Sequence, residues 1–516
     1  MVFDTILKSG TIVDGSGTRP AYLNDVGVVG DRIAAVGDLS AAQADRVIDV
    51  SGRIVSPGFI DNHVHSELAL LGGRDQLAGV RQGVTTQFLS PDGFGWAPLP
   101  PDRARELWRY TQFGYGDIEI GLHYPTVEDY LRLFPGRIPA NVCPQVPHCA
   151  VRLGAMGWDT RPASDDELVA MECTTREWMD AGAAGLSLGL DYHPSVNADR
   201  RELVTLAKLV ASYGGVWAAH LRYQMLGRGG AWVEAIEIAQ EAGIAVHVSH
   251  ERLDDEVLSE VERVDREDVD ITFDSYLYSA GMTHLAMLLP MDVQAGGVEP
   301  MVERMADRAV RERSLRHLRD RIGPVGDQLV AYTRSGRFVG MTLAQAAAEA
   351  GISWEEFAYQ LILEEDGLET FSSPWQVTPN EAECILARTA GHPRLMIASD
   401  GIYNIPKPHP RAYGCFARVL RRFVREQNLL SLEEAVHKMS GFPAQRFGLK
   451  DLGRVATGMA ADIVVFDAAV VGECSTWQDP VQPAVGVEWV FVNGQPVVGQ
   501  GLPTGAMPGR VVRCAY

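Results

Sequence analysis

The sequence predicts an α/β chain with a parallel sheet through its middle and a small all-β unit made from its two ends. Two observations carry this. Between about residues 57 and 445, apolar strand-like runs alternate with helix-like segments, the pattern of successive βα units. Outside that stretch the apolar runs are short and are separated by turn residues. A third observation bears on function: several of the middle runs end in, or lead directly into, a histidine or an aspartate.

At the start of the chain, Thr5-Ile6-Leu7, Thr11-Ile12-Val13, Val26-Gly27-Val28-Val29 and Ile33-Ala34-Ala35-Val36 read as strands, with turns at Asp14-Gly15 and Gly30-Asp31. At the far end, Asp462-Ile463-Val464-Val465-Phe466 and Trp489-Val490-Phe491-Val492 have the same character, and Asn493-Gly494 is a strong hairpin turn. Residues 1–56 and 446–516 are therefore expected to build one small β-sandwich. In the middle, the clearest strands are Val84–Leu89, Val216–His220, Ala245–His250 and Leu395–Asp400. The pattern lapses from about Gly297 to Gly340, where the run from Arg308 to Arg321 is heavily charged. A solvated helix face is expected there.

With 516 residues the chain is long enough for a large domain and a satellite. Its 46% hydrophobic and 22% charged residues are ordinary for a soluble enzyme. The net charge of −21 argues against nucleic acid or an anionic membrane as a partner. The seven cysteines include no Cys-x-x-Cys pair, which fits a reducing compartment. The first residues, Met-Val-Phe-Asp-Thr-Ile-Leu-Lys, lack a basic region followed by an apolar core, and no run is long and apolar enough to cross a bilayer. A cytoplasmic enzyme is expected, with self-association left open.

The stretch that organises the chain is Pro57-Gly58-Phe59-Ile60-Asp61-Asn62-His63-Val64-His65. Side chains at i and i+2 of a strand share a face, so His63 and His65 can aim two imidazoles at one ion. His220, His250 and Asp400 close later strand-like runs, and Asp92 follows another. In a (β/α)8 barrel the active site lies at the C-terminal ends of the strands, where these residues would meet. His247, three residues before His250, is expected to face the other way.

The Pro-Gly-Phe-Ile-Asp-x-His-x-His stretch resembles the first-strand signature of the amidohydrolase superfamily. His220-Leu221-Arg222, Ser249-His250 and Ser399-Asp400-Gly401 narrow the resemblance to the N-acyl-D-amino-acid deacylase (D-aminoacylase) family, over nearly the whole chain. That resemblance implies a TIM-like (β/α)8 barrel over 57–445, an insertion near 297–340, and the β-sandwich of both termini. It also implies one or two divalent metal ions, zinc first, held by His63, His65, Asp92, His220, His250 and Asp400. One departure stands out: in Ser90-Pro91-Asp92-Gly93, aspartate occupies the position where the family has a metal-binding cysteine. A carboxylate still coordinates, but as a harder ligand.

The expected chemistry is metal-assisted hydrolysis, with Asp400 as general base and then acid. Pro408-His409-Pro410-Arg411-Ala412-Tyr413-Gly414 resembles a family motif whose arginine binds the substrate carboxylate, a task that suits a planar guanidinium. Arg252 stands where the family often has a carboxylate-binding lysine. Tyr192, Tyr276, Tyr278, Arg222 and His148 complete the expected substrate contacts. The substrate implied is an N-acyl amino acid of the D configuration. The rival readings are hydrolysis of a different amide, a carbamate or a cyclic amide, and a non-catalytic assembly protein.

Overall fold

The structure is a computed structural model that describes residues 2–73, 75–118, 121, 123–322 and 326–514. The chain begins with β1 (Val2–Ile12), β2 (Tyr22–Val29), β3 (Arg32–Gly37), β4 (Gln43–Asp49) and β5 (Ile54–Pro57). Gly30 turns β2 into β3 with φ at +57°, a conformation that glycine adopts without a Cβ penalty.

Parallel strands follow: β6 (Phe59–Asp61), β7 (Val64–His65), β8 (Val84–Phe88), β9 (Asn141–Cys143), β10 (Val146–Pro147), β11 (Gly185–Gly189), β12 (Val216–His220), β13 (Ala245–Val248) and β14 (Ile271–Ser275). Their residues are almost all buried, as expected when helices cover a parallel sheet. Some of the covering helices start on side-chain caps. Ser164 forms a capping box with Glu167, and Asp199 and Thr378 accept from the third N–H of their helices.

An antiparallel unit interrupts this order: β15 (Ala280–His284), β16 (Leu329–Tyr332) and β17 (Thr370–Pro374), in the sequence β15-β17-β16. With the helices Val298–Met305, Arg308–Ile322, Leu343–Ala350 and Trp354–Glu364 it encloses its own apolar cluster, including Met301, Leu318, Val330, Phe357 and Phe371. The charged helix buries Leu318 and turns Arg308, Arg313 and Arg319 outward to Glu312, Asp292 and Glu355.

The parallel order then resumes with β18 (Leu395–Ile397) and β19 (Gly401–Ile402). The pairing runs β6-β8-β9 and β10-β11-β12-β13-β14-β18, while β19 lies parallel to β7 through Gly401 and Val64. The chain ends in β20 (Ile463–Phe466), β21 (Val487–Val492), β22 (Gln495–Gly499) and β23 (Leu502–Pro503). These join β1–β5 in one nine-stranded sheet, with β5 antiparallel to β20. Asn493 and Gly494 both have positive φ in the β21–β22 turn, the requirement of a type I′ hairpin. Leu7, Ile12, Val26, Ile33, Val55, Ile463, Val465 and Phe491 pack together as the apolar side of this sheet. No helix among the described residues is long and apolar enough to cross a membrane.

Candidate metal centre and substrate cavity

The predicted ligands converge at the C-terminal ends of the parallel strands. His63 follows β6, His65 ends β7, Asp92 follows β8, His220 ends β12, His250 follows β13 and Asp400 follows β18. His63 Nε2 lies 3.6 Å from Asp92 Oδ1 and 3.7 Å from Asp400 Oδ1. His65 Nε2 lies 3.6 Å from Asp92 Oδ2 and 3.4 Å from Asp400 Oδ1. Two groups have all their ligand atoms within 4.8 Å of one another: His63, Asp92 and His250, and His63, His65 and Asp400.

These separations fit a shared cation better than hydrogen bonds. Ligand atoms each ~2 Å from one zinc ion stand ~3–4 Å apart. His63 Nε2 and Asp92 Oδ1 are buried and have no hydrogen-bond partner, an arrangement that is costly unless something else satisfies them. Asp92, His250 and Asp400 also hold φ at +55°, +42° and +45°. Such backbone strain concentrates at functional sites. It is held here by His250 N donating to Asp274 Oδ1 at 2.7 Å and Asp400 N donating to the His63 carbonyl at 2.8 Å.

A surrounding layer of carboxylates, which the sequence reading missed, orients the ligands. Asp191 Oδ2 lies 3.1 Å from His220 Nε2, which leaves His220 Nδ1 facing His250 Nε2 at 2.9 Å. Asp274 Oδ2 accepts from His247 at 2.8 Å and from Asn62 at 3.1 Å. His247 therefore stands behind the centre, not in it. Asp61 accepts from both the Ser399 N–H and its hydroxyl, at 3.0 and 2.5 Å, and so fixes the turn that carries Asp400.

Charge in the cluster is unevenly distributed. Burial alone would raise the Asp400 carboxyl, but Arg411, His65, His63 and His250 hold it well below the ordinary carboxylate range. Burial, with His220 adding to it, lowers His250 to about 4, which keeps its imidazole neutral as a metal ligand must be.

A cavity of about 200 Å³ opens onto the cluster, and His65, Asp92, Tyr192, His220, His250, Tyr276, Asp400 and Arg411 reach it. Arg411 is 1% exposed, and its Nη2 is 2.8 Å from Asp400 Oδ2. This contact is an ion pair without hydrogen-bond geometry, so Nε, Nη1 and Nη2 all lack hydrogen-bond partners. The guanidinium carbon sits 4.3 Å above the Tyr276 ring. Phe113 stacks on Tyr192 at 6.0 Å, and Met282, Thr283, Met287 and Ser373 from the antiparallel unit and the turn after β15 complete the wall.

Four predicted substrate contacts do not line this cavity. His148 is buried between Ser195 Oγ at 2.7 Å and Glu202 Oε1 at 3.0 Å, so both ring nitrogens are occupied. Arg222 donates to the Val196 and Ala198 carbonyls and pairs with Glu234. Arg252 folds back onto Asp254 at 3.0 Å and lies over Trp375. Tyr278 packs under Arg418 and against His409.

Residues 46–336 and 382–498 match the profile of the amidohydrolase family. The chain belongs to the amidohydrolase family. It is 33% identical to a D-aminoacylase of Alcaligenes xylosoxydans xylosoxydans, over 99% of this chain and 97% of that protein. An N-acyl-D-glutamate deacylase of the same organism is also 33% identical, over 99% of this chain and 96% of that protein. Among solved structures, this amidohydrolase resembles the N-acyl-D-glutamate deacylase of Bordetella bronchiseptica, which was solved with zinc and a phosphonate that mimics the tetrahedral intermediate. The TM-score is 0.83 at 30% identity, over 99% of this chain and 100% of that one. A D-aminoacylase structure gives a TM-score of 0.80 at 32% identity, with the same coverage. A D-hydantoinase shares the fold at 16% identity, with a TM-score of 0.58.

Proposed function

We propose that this amidohydrolase is a metal-dependent enzyme that hydrolyses the amide of N-acyl D-amino acids, releasing a carboxylate and the free amino acid. The observation that carries this is the cavity in which Arg411, buried and ion-paired with Asp400, stands beside His65, Asp92 and Asp400, with His63 completing the cluster. The guanidinium suits a substrate carboxylate, and the histidines and carboxylates beside it suit a divalent ion, zinc first.

The ion would be held by His63, His65, Asp92, His220, His250 and Asp400, as one centre or two. When bound, it supplies Lewis acidity toward water and toward an amide carbonyl. The chain's own residues do the rest. Arg411 offers a planar fork to the substrate carboxylate and so sets how far the scissile amide can enter. Tyr276 supports that fork from below, and Tyr192 forms the wall beside the amide. Asp400 Oδ1 faces His63 and His65, where it takes a proton from the attacking water and returns it to the leaving nitrogen. His220 and His250 are kept in place by Asp191 and Asp274. Arg252 and Tyr278, expected as substrate contacts, lie outside the lining of the cavity.

The same reading extends to the architecture. The parallel strands form a (β/α)8 barrel over 57–445, closed where β19 meets β7. Residues 1–56 and 446–516 form the β-sandwich beside it. The insertion near 297–340 extends to the antiparallel unit that walls the cavity. The net charge of −21 supports a small-molecule partner over nucleic acid or an anionic membrane. Cysteines that form no disulfide among the described residues suit a reducing compartment such as the cytoplasm.

The test is a screen of metal-loaded enzyme against N-acyl D- and L-amino acids. Release of free amino acid from the D series is expected. Hydrolysis confined to substrates without a carboxylate would overturn the assignment.

A further inference from the structure

The donors that meet around His63 are imidazole nitrogens and carboxylate oxygens; among the described residues, no cysteine thiol joins them. Cys149 is not part of the cavity lining; its thiol contacts Ser195 Oγ at 3.1 Å and the Asp92 main-chain oxygen at 3.9 Å. Burial pushes that thiol up to about 12, so it is not available as a thiolate.

Asp92 uses its two oxygens differently. Oδ1 faces His63 Nε2 and Oδ2 faces His65 Nε2, each at 3.6 Å. The loop is fixed from behind. Gly93 N donates to Ser187 Oγ at 3.1 Å, and a Cβ at Gly189 would come within 2.5 Å of the Asp92 carbonyl. The carboxylate is thus held with one oxygen toward each histidine. A single-atom donor at this position could not present two separate ligand atoms.

Building on the metal-centre reading, we propose that Asp92 makes this a thiolate-free site in which its carboxylate, with one oxygen toward each histidine, is a metal ligand. Such a site exchanges zinc for cobalt or manganese. Thiolates favour zinc and other thiophilic ions, whereas imidazole and carboxylate accept cobalt and manganese as well.

The test uses full-length wild type, Asp92→Cys and Asp92→Asn, with folding checked by circular dichroism. Each is stripped of metal and dialysed against an equimolar mixture of zinc, cobalt and manganese, and bound metal is measured by elemental mass spectrometry. Wild type should retain cobalt and manganese beside zinc. Asp92→Cys should raise the zinc-to-manganese ratio at least about tenfold, and its cobalt form should gain a near-ultraviolet thiolate band that wild type lacks. Asp92→Asn should weaken metal binding by about tenfold or more. Identical metal partitioning in wild type and Asp92→Cys, or undiminished binding by Asp92→Asn, overturns the proposal. Wild type that binds no metal overturns the metal centre itself. Metal-loaded wild type that leaves N-acyl D-amino acids intact overturns only the substrate reading.

Discussion

Arg411 gives the sharpest test of substrate recognition. Its guanidinium is 1% exposed, faces the cavity and has no hydrogen-bond partner on any of its three nitrogens. Two charge-assisted bonds to a substrate carboxylate, each worth about 1.5–3 kcal/mol, give roughly 3–6 kcal/mol for a fork–fork contact. Arg411→Ala should therefore lower kcat/KM by about 10²- to 10⁴-fold on an N-acyl D-amino acid. Arg411→Lys, which keeps the charge and loses the fork, should fall between the variant and wild type. The assay pairs this substrate with the matching N-acyl amine, which has no carboxylate. If Arg411 binds the carboxylate, Arg411→Ala loses the full factor on the acid and little on the amine. Equal losses on both substrates would refute this reasoning, because they would mean that Arg411 acts only through its ion pair with Asp400, 2.8 Å away.

Three further outcomes are expected. Asp400→Asn, assayed with saturating metal, should reduce turnover by about 10²–10⁴-fold, and near-normal turnover would remove it from proton transfer. Asp191→Ala should weaken metal binding by about 10–100-fold in a chelator competition, through loss of the 3.1 Å contact that orients His220, and unchanged affinity would reject that role. Glu369 is fully buried with neither carboxyl oxygen in a hydrogen bond, and burial raises it from 4.5 to about 8. Below pH ~4.5 both folded and unfolded chains carry it protonated. As pH rises toward 8 only the unfolded chain ionises, so stability falls across that window and then levels off. The loss is up to roughly 5 kcal/mol. Glu369→Gln should flatten the decline in Tm between pH 5 and 8.5, and an unchanged decline would refute the assignment.

What could be read in the sequence was local. The alternation of His63 and His65, the apolar runs ending in His220 and Asp400, and the Asn493-Gly494 turn each follow from a few adjacent residues. What escaped depends on which strands lie side by side. Asp191 reaches His220 because β11 and β12 pair Gly189 with His220, and Asp274 reaches His250 because β13 and β14 pair Val248 with Phe273. His148, expected at the site from the family resemblance, is instead held by Ser195 and Glu202, partners distant in sequence. Arg252 carried a local clue that went unused: Asp254, two residues on, captures its side chain. The antiparallel unit draws its strands from 280–284, 329–332 and 370–374, a span that no local pattern joins.

The seam between β7 and β19 has a consequence for how the molecule comes together. Asp61 and Ser399, which lock that seam, are separated by 338 residues. Contacts of such sequence separation incur loop-closure entropy before they return any stability, and they form late. His63, His65 and Asp92 are synthesised early, but Asp400 and Arg411 join them only when the last strand docks. A chain stalled before that step brings the paired histidines together with neither Asp400 nor Arg411. Assembly of the whole cluster thus waits on completion of the fold.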